Sequence, residues 1–332
     1  MVRASRIVLG ALAGLLLLFA VATGIGDVLI GRANPPIGKF IDTTSGRQHV
    51  LDVGPDDTTA APLPAVVLVH GATANLGDMQ LALATRLRAR HRVIAVDRPG
   101  HGWSERTGAA ADASPSRQAA VLYEILGKLG VTRPLLVGHS WGGALAAVYA
   151  MEHADALSGL VLLAPAAYPW RSGLLWYFEL TNTRWLGPLF VHTLALPLGY
   201  LTLDRIVGRA FAPQAAPPGY VDRASIVLAL RPATITANSE DLGRLEPSVA
   251  AQGARYAQIR TPTVIITGSA DGVVSPRVNA RAIAAQIPQA RLIVLRGVGH
   301  MPHHVEPERV VAAIEALAEA APGVTGAPAA RP

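Results

Sequence analysis

The stretch Val137-Gly138-His139-Ser140-Trp141-Gly142-Gly143 decides how the chain reads. It contains the pattern G-x-S-x-G, which recurs often by chance, so its surroundings give it weight. Residues 134–137 form a short apolar run suited to a buried strand, and the residues after Ser140 open a helix. A serine on so tight a strand-to-helix turn has a strained backbone and points its hydroxyl into a cleft. Side chains two positions before and after it would strike neighbouring backbone, so glycine is wanted at 138 and 142. The helix N-terminus beneath the serine favours negative charge developing there. The plainer alternative is a glycine-rich turn with a capping serine, which requires no matching residues elsewhere.

Matching residues do follow, at the ends of other strands. Working outward from Ser140, short apolar runs at 39–43, 48–53, 65–69, 93–96, 134–137, 160–163, 263–267 and 292–295 read as strands. The first two flank a Ser45-Gly46 turn and predict an antiparallel pair. Helical patterns separate the later runs. Ser114-Pro115 reads as an N-cap with proline at the first helical position, and Leu122, Ile125, Leu126 and Leu129 recur behind it at helical spacing. Val310, Ile314 and Leu317 repeat that pattern near the C-terminus. This alternation predicts an α/β fold, a mostly parallel sheet with helices on both faces. It is broken between about 165 and 260, where no buried strand is read. That segment holds Trp170, Trp176, Trp185, many leucines and several prolines, and reads as a helical cap.

A serine hydroxyl is a weak nucleophile until a base takes its proton. In this architecture the chain order is serine, acid, histidine. Asp271 stands just past the 263–267 run and His300 just past the 292–295 run. Both therefore fall at the strand ends where Ser140 sits, the edge where open α/β sheets bind ligands. His300 is read as the base and Asp271 as the group that orients and charge-stabilises it. His303 and His304 are weaker alternatives as base, and Asp241 and Glu246 as acid. His70-Gly71-Ala72 ends the 65–69 run. An oxyanion hole requires one amide from that loop and one from the residue after the nucleophile, which nominates the backbone N–H groups of Ala72 and Trp141. His70 and His139 read as structural, and Ser104 is rejected as nucleophile because no glycine follows two residues on.

Together VHGATAN at 69–75, DRPGHGWS at 97–104, GHSWGG at 138–143, GSADGVVSP at 268–276 and GVGHMPHHVEPE at 297–308 make the chain resemble the α/β-hydrolase superfamily over roughly residues 39–320. The resemblance implies an eight-stranded, mostly parallel sheet with the cap entering after the sixth strand, and neither cofactor nor metal. It is nearest the branch of esterases, carbon–carbon hydrolases, cofactor-free haloperoxidases, and epoxide or haloalkane hydrolases. The last two carry aspartate at the nucleophile position, where this chain has Ser140. Proline iminopeptidases share a GxSWGG-like elbow, compatible with Trp141. The leading expectation is hydrolysis of a small apolar ester or acyl substrate through an acyl-enzyme. Reactions on other bonds by the same triad come second, and a non-catalytic membrane-tethered binding protein third.

Composition narrows the remaining classes. The chain has 332 residues, 51% apolar and only 5% aromatic, enough for a large aliphatic core. Its formal charge of +6 comes from scattered arginines, with no long basic run and no nucleic-acid-binding motif, so nucleic acid is not expected as a partner. With no cysteine, disulfides, thiolate metal sites and cysteine nucleophiles are excluded. Residues 7–30 are apolar apart from glycine, Thr23 and Asp27, and Arg3 and Arg6 precede them. Such a run is long enough to span a bilayer, and the leading arginines favour a cytoplasmic N-terminus with the catalytic domain on the periplasmic or extracellular side. A signal peptide cleaved after Ala20-Val21-Ala22, releasing a secreted protein, is the alternative. The expected organisation is thus an anchor or signal peptide at 1–31, a linker at 32–38, hydrolase core at 39–164 and 261–320, the cap at 165–260, and a disordered Ala/Pro/Gly tail at 321–332.

Overall fold

The computed structural model describes residues 2–55, 63–169 and 175–321. Trp170 of the expected cap and all but the first residue of the expected tail lie outside the described residues. Eight strands form one sheet: β1 (Lys39–Thr43), β2 (Gly46–Val53), β3 (Val66–Val69), β4 (Val93–Val96), β5 (Leu135–His139), β6 (Gly159–Leu163), β7 (Thr263–Gly268) and β8 (Ala290–Leu295). Their spatial order is β1-β2-β4-β3-β5-β6-β7-β8. The β1–β2 and β2–β4 pairs are antiparallel and all others parallel. Strands β3 to β6 are buried along their whole length, which is why they read as unbroken apolar runs.

The period of two along a strand sorts its residues onto two cores. Val67 and Val69 of β3 join Ile94, Leu136 and Leu160 beneath the helices Pro115–Lys128 and Trp141–Glu152. Val66 and Leu68 face the other way, with Leu135, Val161 and Val264, against Leu76, Leu83, Val310 and Ile314. Ser114 caps its helix as read, its hydroxyl accepting from the Arg117 amide at 3.3 Å with Pro115 next in line. The last helix starts only at Pro307. His303 and His304 occupy a separate turn, Pro302–Val305, ahead of it.

The strand order reverses at β3, whose neighbours are β4 on one side and β5 on the other. A crevice at the C-terminal ends of β3 and β5 follows from that reversal, because the two connecting loops leave in opposite directions. His70 and Ser140 sit at those ends.

Between β6 and β7 the described residues form helices and turns and no strand. The longest stretch, Leu186–Phe211, is helical throughout, with one wide turn at Val191–Ala195. It is followed by Tyr220–Arg223, Ile226–Leu230 and Pro232–Gly253. These helices build a small core from Leu203, Val207, Phe211, Tyr220 and Leu230, which Met301 from beyond β8 joins. The N-terminal helix, Val2–Ala33, is long and apolar enough over Ser5–Ala33 to cross a membrane, and most of it is exposed.

Candidate active site

Ser140 has φ +52° and ψ −115°, a backbone conformation that side chains rarely adopt. The surrounding backbone holds it there. Its N–H donates to the Leu163 carbonyl at 2.9 Å, and its own carbonyl accepts from the Gly143 and Ala166 amides at 2.9 and 3.1 Å. The two glycines are required by contact. A Cβ on Gly142 would lie 2.6 Å from the carbonyl oxygens of both Val69 and His70, and one on Gly138 would overlap the Gly142 carbonyl. The turn is therefore packed against the end of β3, and the loop from β3 is brought to the serine. A Cβ on Gly71 would stand 3.1 Å from that of Ser140. Ala72 follows in that loop. Trp141, as first residue of its helix, has an amide with no intrahelical acceptor.

Asp271 and His300 meet at the same edge. The His300 ring Nδ1 and Asp271 Oδ2 are 2.8 Å apart, both side chains buried. The other Asp271 oxygen accepts the amides of Val273 and Val274, each at 2.8 Å. A carboxylate so held is an acceptor, so His300 Nδ1 carries the proton and Nε2 is left free to accept one. His139, beside the serine, lies 3.0 Å from the His300 carbonyl through its Nε2. Burial, and then the neighbouring His303 and His300, holds the His139 ring well below the usual histidine range, so it acts there as a neutral donor. Ser140 and the His300 backbone are thereby tied to one another through a single residue. The serine hydroxyl itself makes no hydrogen bond to the His300 ring in this conformation.

The alternatives have other partners. His303 and His304 both bond Asp78, at 3.1 and 2.7 Å, and the Tyr220 hydroxyl donates to the same carboxylate at 2.8 Å. Asp78, His139 and His303 bring one donor atom each within 4.8 Å of one another, the spacing of a metal site. The Asp78 oxygens, however, are already shared among the two histidines and the tyrosine. Ser104 donates to the Asp97 carbonyl and accepts from the His49 amide, a structural role.

Asp241 lies at the centre of a buried cluster that the sequence did not announce. Arg98 and Arg106 each pair with one of its oxygens, and Gln118 donates to it at 3.0 Å. Burial pushes this carboxyl up, against the pull of the two guanidiniums. Arg98 also donates to the Gly71 carbonyl at 3.2 Å and lies 4.0 Å over the Trp141 ring, whose indole N–H reaches the Asp241 carbonyl at 3.2 Å. One arginine thus braces both loops expected to carry the oxyanion amides. His70 joins it: the Arg98 amide donates to its Nε2 at 3.0 Å, so its Nδ1 proton goes to the Gly71 carbonyl at 2.7 Å. Burial, and then Arg98, pushes the His70 ring down to about 4, so it is neutral and structural.

Ser140 and His300 are only 8% and 5% exposed, so both lie beneath the surface. A cavity of about 740 Å³ opens elsewhere, between the loop at 100–107 and the cap, lined in part by Arg47, Trp103, Arg106, His192 and Arg231. None of the three proposed catalytic residues lines it.

Similarity to known proteins bears on the same segments. A 2-hydroxymuconate semialdehyde hydrolase from Pseudomonas putida is 29% identical over 297 residues, covering 87% of this chain and 97% of that protein. The haloalkane dehalogenase 2 of Mycobacterium tuberculosis is 24% identical over 288 residues, covering 83% and 93%. Among solved structures, a bacterial membrane phospholipase A superposes with a TM-score of 0.65 at 21% identity, over 95% of this chain and 96% of that one. Residues 64–307, from the lead into β3 to the start of the last helix, match the profile described as alpha/beta hydrolase fold, and the chain belongs to that family.

Proposed function

We propose that the chain is a serine hydrolase cleaving carboxylic esters of apolar acyl groups, with Ser140 as nucleophile, His300 as general base and Asp271 as its orienting acid. The observation that carries this reading is the Asp271–His300 hydrogen bond, at the strand edge where Ser140 is held in a strained turn. His300 Nε2 takes the hydroxyl proton as Ser140 Oγ attacks the ester carbonyl. The oxyanion that forms faces the amides of Ala72 and Trp141. The alcohol leaves with the proton from His300, and water, activated by the same ring, releases the acid. Chemistry of this kind draws only on the chain's own groups.

The cap at 165–260 would select the acyl group, and the core would be split into 39–164 and 261–320 around it. We read the N-terminal helix as a retained anchor that holds the catalytic domain on the far side of the membrane from its leading arginines. The test is hydrolysis of p-nitrophenyl esters, from acetate to palmitate, by the full chain in detergent. Ser140→Ala is expected to lose activity on the order of 10³-fold or more. An unchanged rate in that variant would overturn the assignment.

A second reading keeps the triad and changes the bond. That bond is a carbon–carbon bond beside a carbonyl, and the Pseudomonas putida relative, named a 2-hydroxymuconate semialdehyde hydrolase and matched over nearly its whole length, supports a substrate other than a simple ester. Turnover of vinylogous diketones well above that of any ester in the series would select it.

A further inference from the structure

We propose that the helix beginning at Leu186 lies within the membrane beside the N-terminal helix, so that a lipid bilayer is a direct ligand of the hydrolase domain. The inference rests on the reading of that N-terminal helix as a retained anchor.

The N-terminal helix is not a free tether. Thr23 Oγ1 donates to the Thr193 carbonyl at 2.9 Å, and a Cβ on Gly26 would lie 3.2 Å from the Leu196 side chain. Asp27 accepts from Arg231 Nε at 2.8 Å, and the Trp103 indole donates to the Asn34 carbonyl at 2.9 Å. The less exposed positions, Leu16, Phe19, Ala20, Thr23, Asp27 and Ile30, recur at helical spacing and form one contact stripe. The helix is thus fixed to the cap, and the level of one sets the level of the other.

That level follows from charge. Arg6 and Asp27 bound an uncharged stretch at 7–26, close to the roughly 20 residues that a hydrocarbon core takes from a helix. The membrane surface then falls near Asp27, at its ion pair with Arg231. Thr23 lies about 6 Å below that surface at 1.5 Å per residue, and Thr193 is bonded to it there. The contacts advance by the same step on both helices, from Thr23 and Thr193 to Gly26 and Leu196, so the two run in the same direction. Cap residues ahead of Thr193 therefore lie deeper still.

Their chemistry fits. From Trp185 to Leu203 the chain has no Asp, Glu, Lys or Arg. Trp176 and Trp185 are 64% and 76% exposed, and Leu186, Leu189, Leu194 and Leu198 are exposed beside them. On that reckoning Leu186 lies roughly 16 Å below the surface at 1.5 Å per residue, where exposed leucine side chains would meet acyl chains. A contiguous apolar face of this extent in water would be a liability.

The chain has no cysteine, so single cysteines can be labelled with an environment-sensitive fluorophore. The full chain carrying Leu12→Cys, Leu186→Cys, Leu189→Cys or Ala316→Cys is reconstituted in phosphatidylcholine vesicles with and without brominated acyl chains. Leu12 reports the anchor, Leu186 and Leu189 the cap, and Ala316 the exposed face of the last helix. The expected result is strong quenching by brominated lipid at 12, 186 and 189, several-fold above that at 316, with the reverse order for aqueous iodide. Quenching at 12 alone would leave the anchor standing and overturn the cap's immersion. No quenching at 12 would overturn the anchor reading, and this inference with it. Shielding of 186 and 189 from iodide without quenching by lipid would mean that a second copy of the chain covers that edge, which also overturns it.

Discussion

At the scale of single residues, the nucleophile turn depends on the absence of atoms. Gly142 has two carbonyl oxygens within 2.6 Å of where a Cβ would stand, and both belong to the end of β3. Gly142→Ala cannot be relieved by rotating a side chain, so the turn must move away from the β3 loop that carries Ala72. Loss of stability of about 2 kcal/mol or more is expected, the size typical of strain and overpacking in a well-packed site. Loss of ester turnover should exceed what unfolding explains. Denaturant titration and turnover of the folded fraction measure the two separately. A variant as active and as stable as the parent would show that the turn is not held by this contact.

At the scale of elements, the strands were legible and the ties between elements were not. Strands buried on both faces read as plain apolar runs, and β3 to β6 were recognised within a residue or two. Ser140, Asp271 and His300 could be picked out because each follows an apolar run, fully buried for β5 and β7 and only partly for the edge strand β8, so a shared edge was implied by strand order. Arg98 also follows such a run, in DRPGHGWS at 97–104, but its pairing with Asp241 had no signal, nor did Asp78, whose partners Tyr220, His303 and His304 come from distant segments. The wide helical turn at Val191–Ala195 also lacked any signal in the sequence. The Arg98–Asp241 pair joins the loop after β4 to the cap helix Pro232–Gly253, and its removal should be felt in both. Arg98→Met leaves a buried carboxylate with one fewer counter-charge and is expected to cost on the order of 3–5 kcal/mol. The double variant Arg98→Met/Asp241→Leu should recover part of that loss, since Arg106, which then loses Asp241, keeps its ion pair with Glu240 at 3.1 Å. Equilibrium unfolding of the two single variants and the double gives the coupling. Strict additivity would mean that the pair does not act as a unit.

At the scale of the whole molecule, buried neutral histidines set a limit on acid stability. His70 is pushed from the usual histidine range down to about 4, while His101, His139 and His303 are also depressed, each chiefly by burial. A histidine with a lowered folded pKa binds its proton more readily once unfolded. The stability it contributes is present above about pH 6.5 and is lost as pH falls from there toward 4. His70 alone accounts for about 3 kcal/mol across that window. Denaturant midpoints measured from pH 7 to 4 should fall steeply, and His70→Gln should flatten part of the slope. A flat profile over that range would contradict burial of these rings. Strand order has one more consequence, for the time before the molecule is whole. The serine leads the cap in the chain, while the proposed base follows β8, the last strand and an edge of the sheet. A chain still leaving the ribosome or a translocation channel can lay down the serine turn without any group to activate it. On the proposed assignment, hydrolytic power then arrives only once β8 and the segment carrying His300 are in place, so a partly made chain is inert.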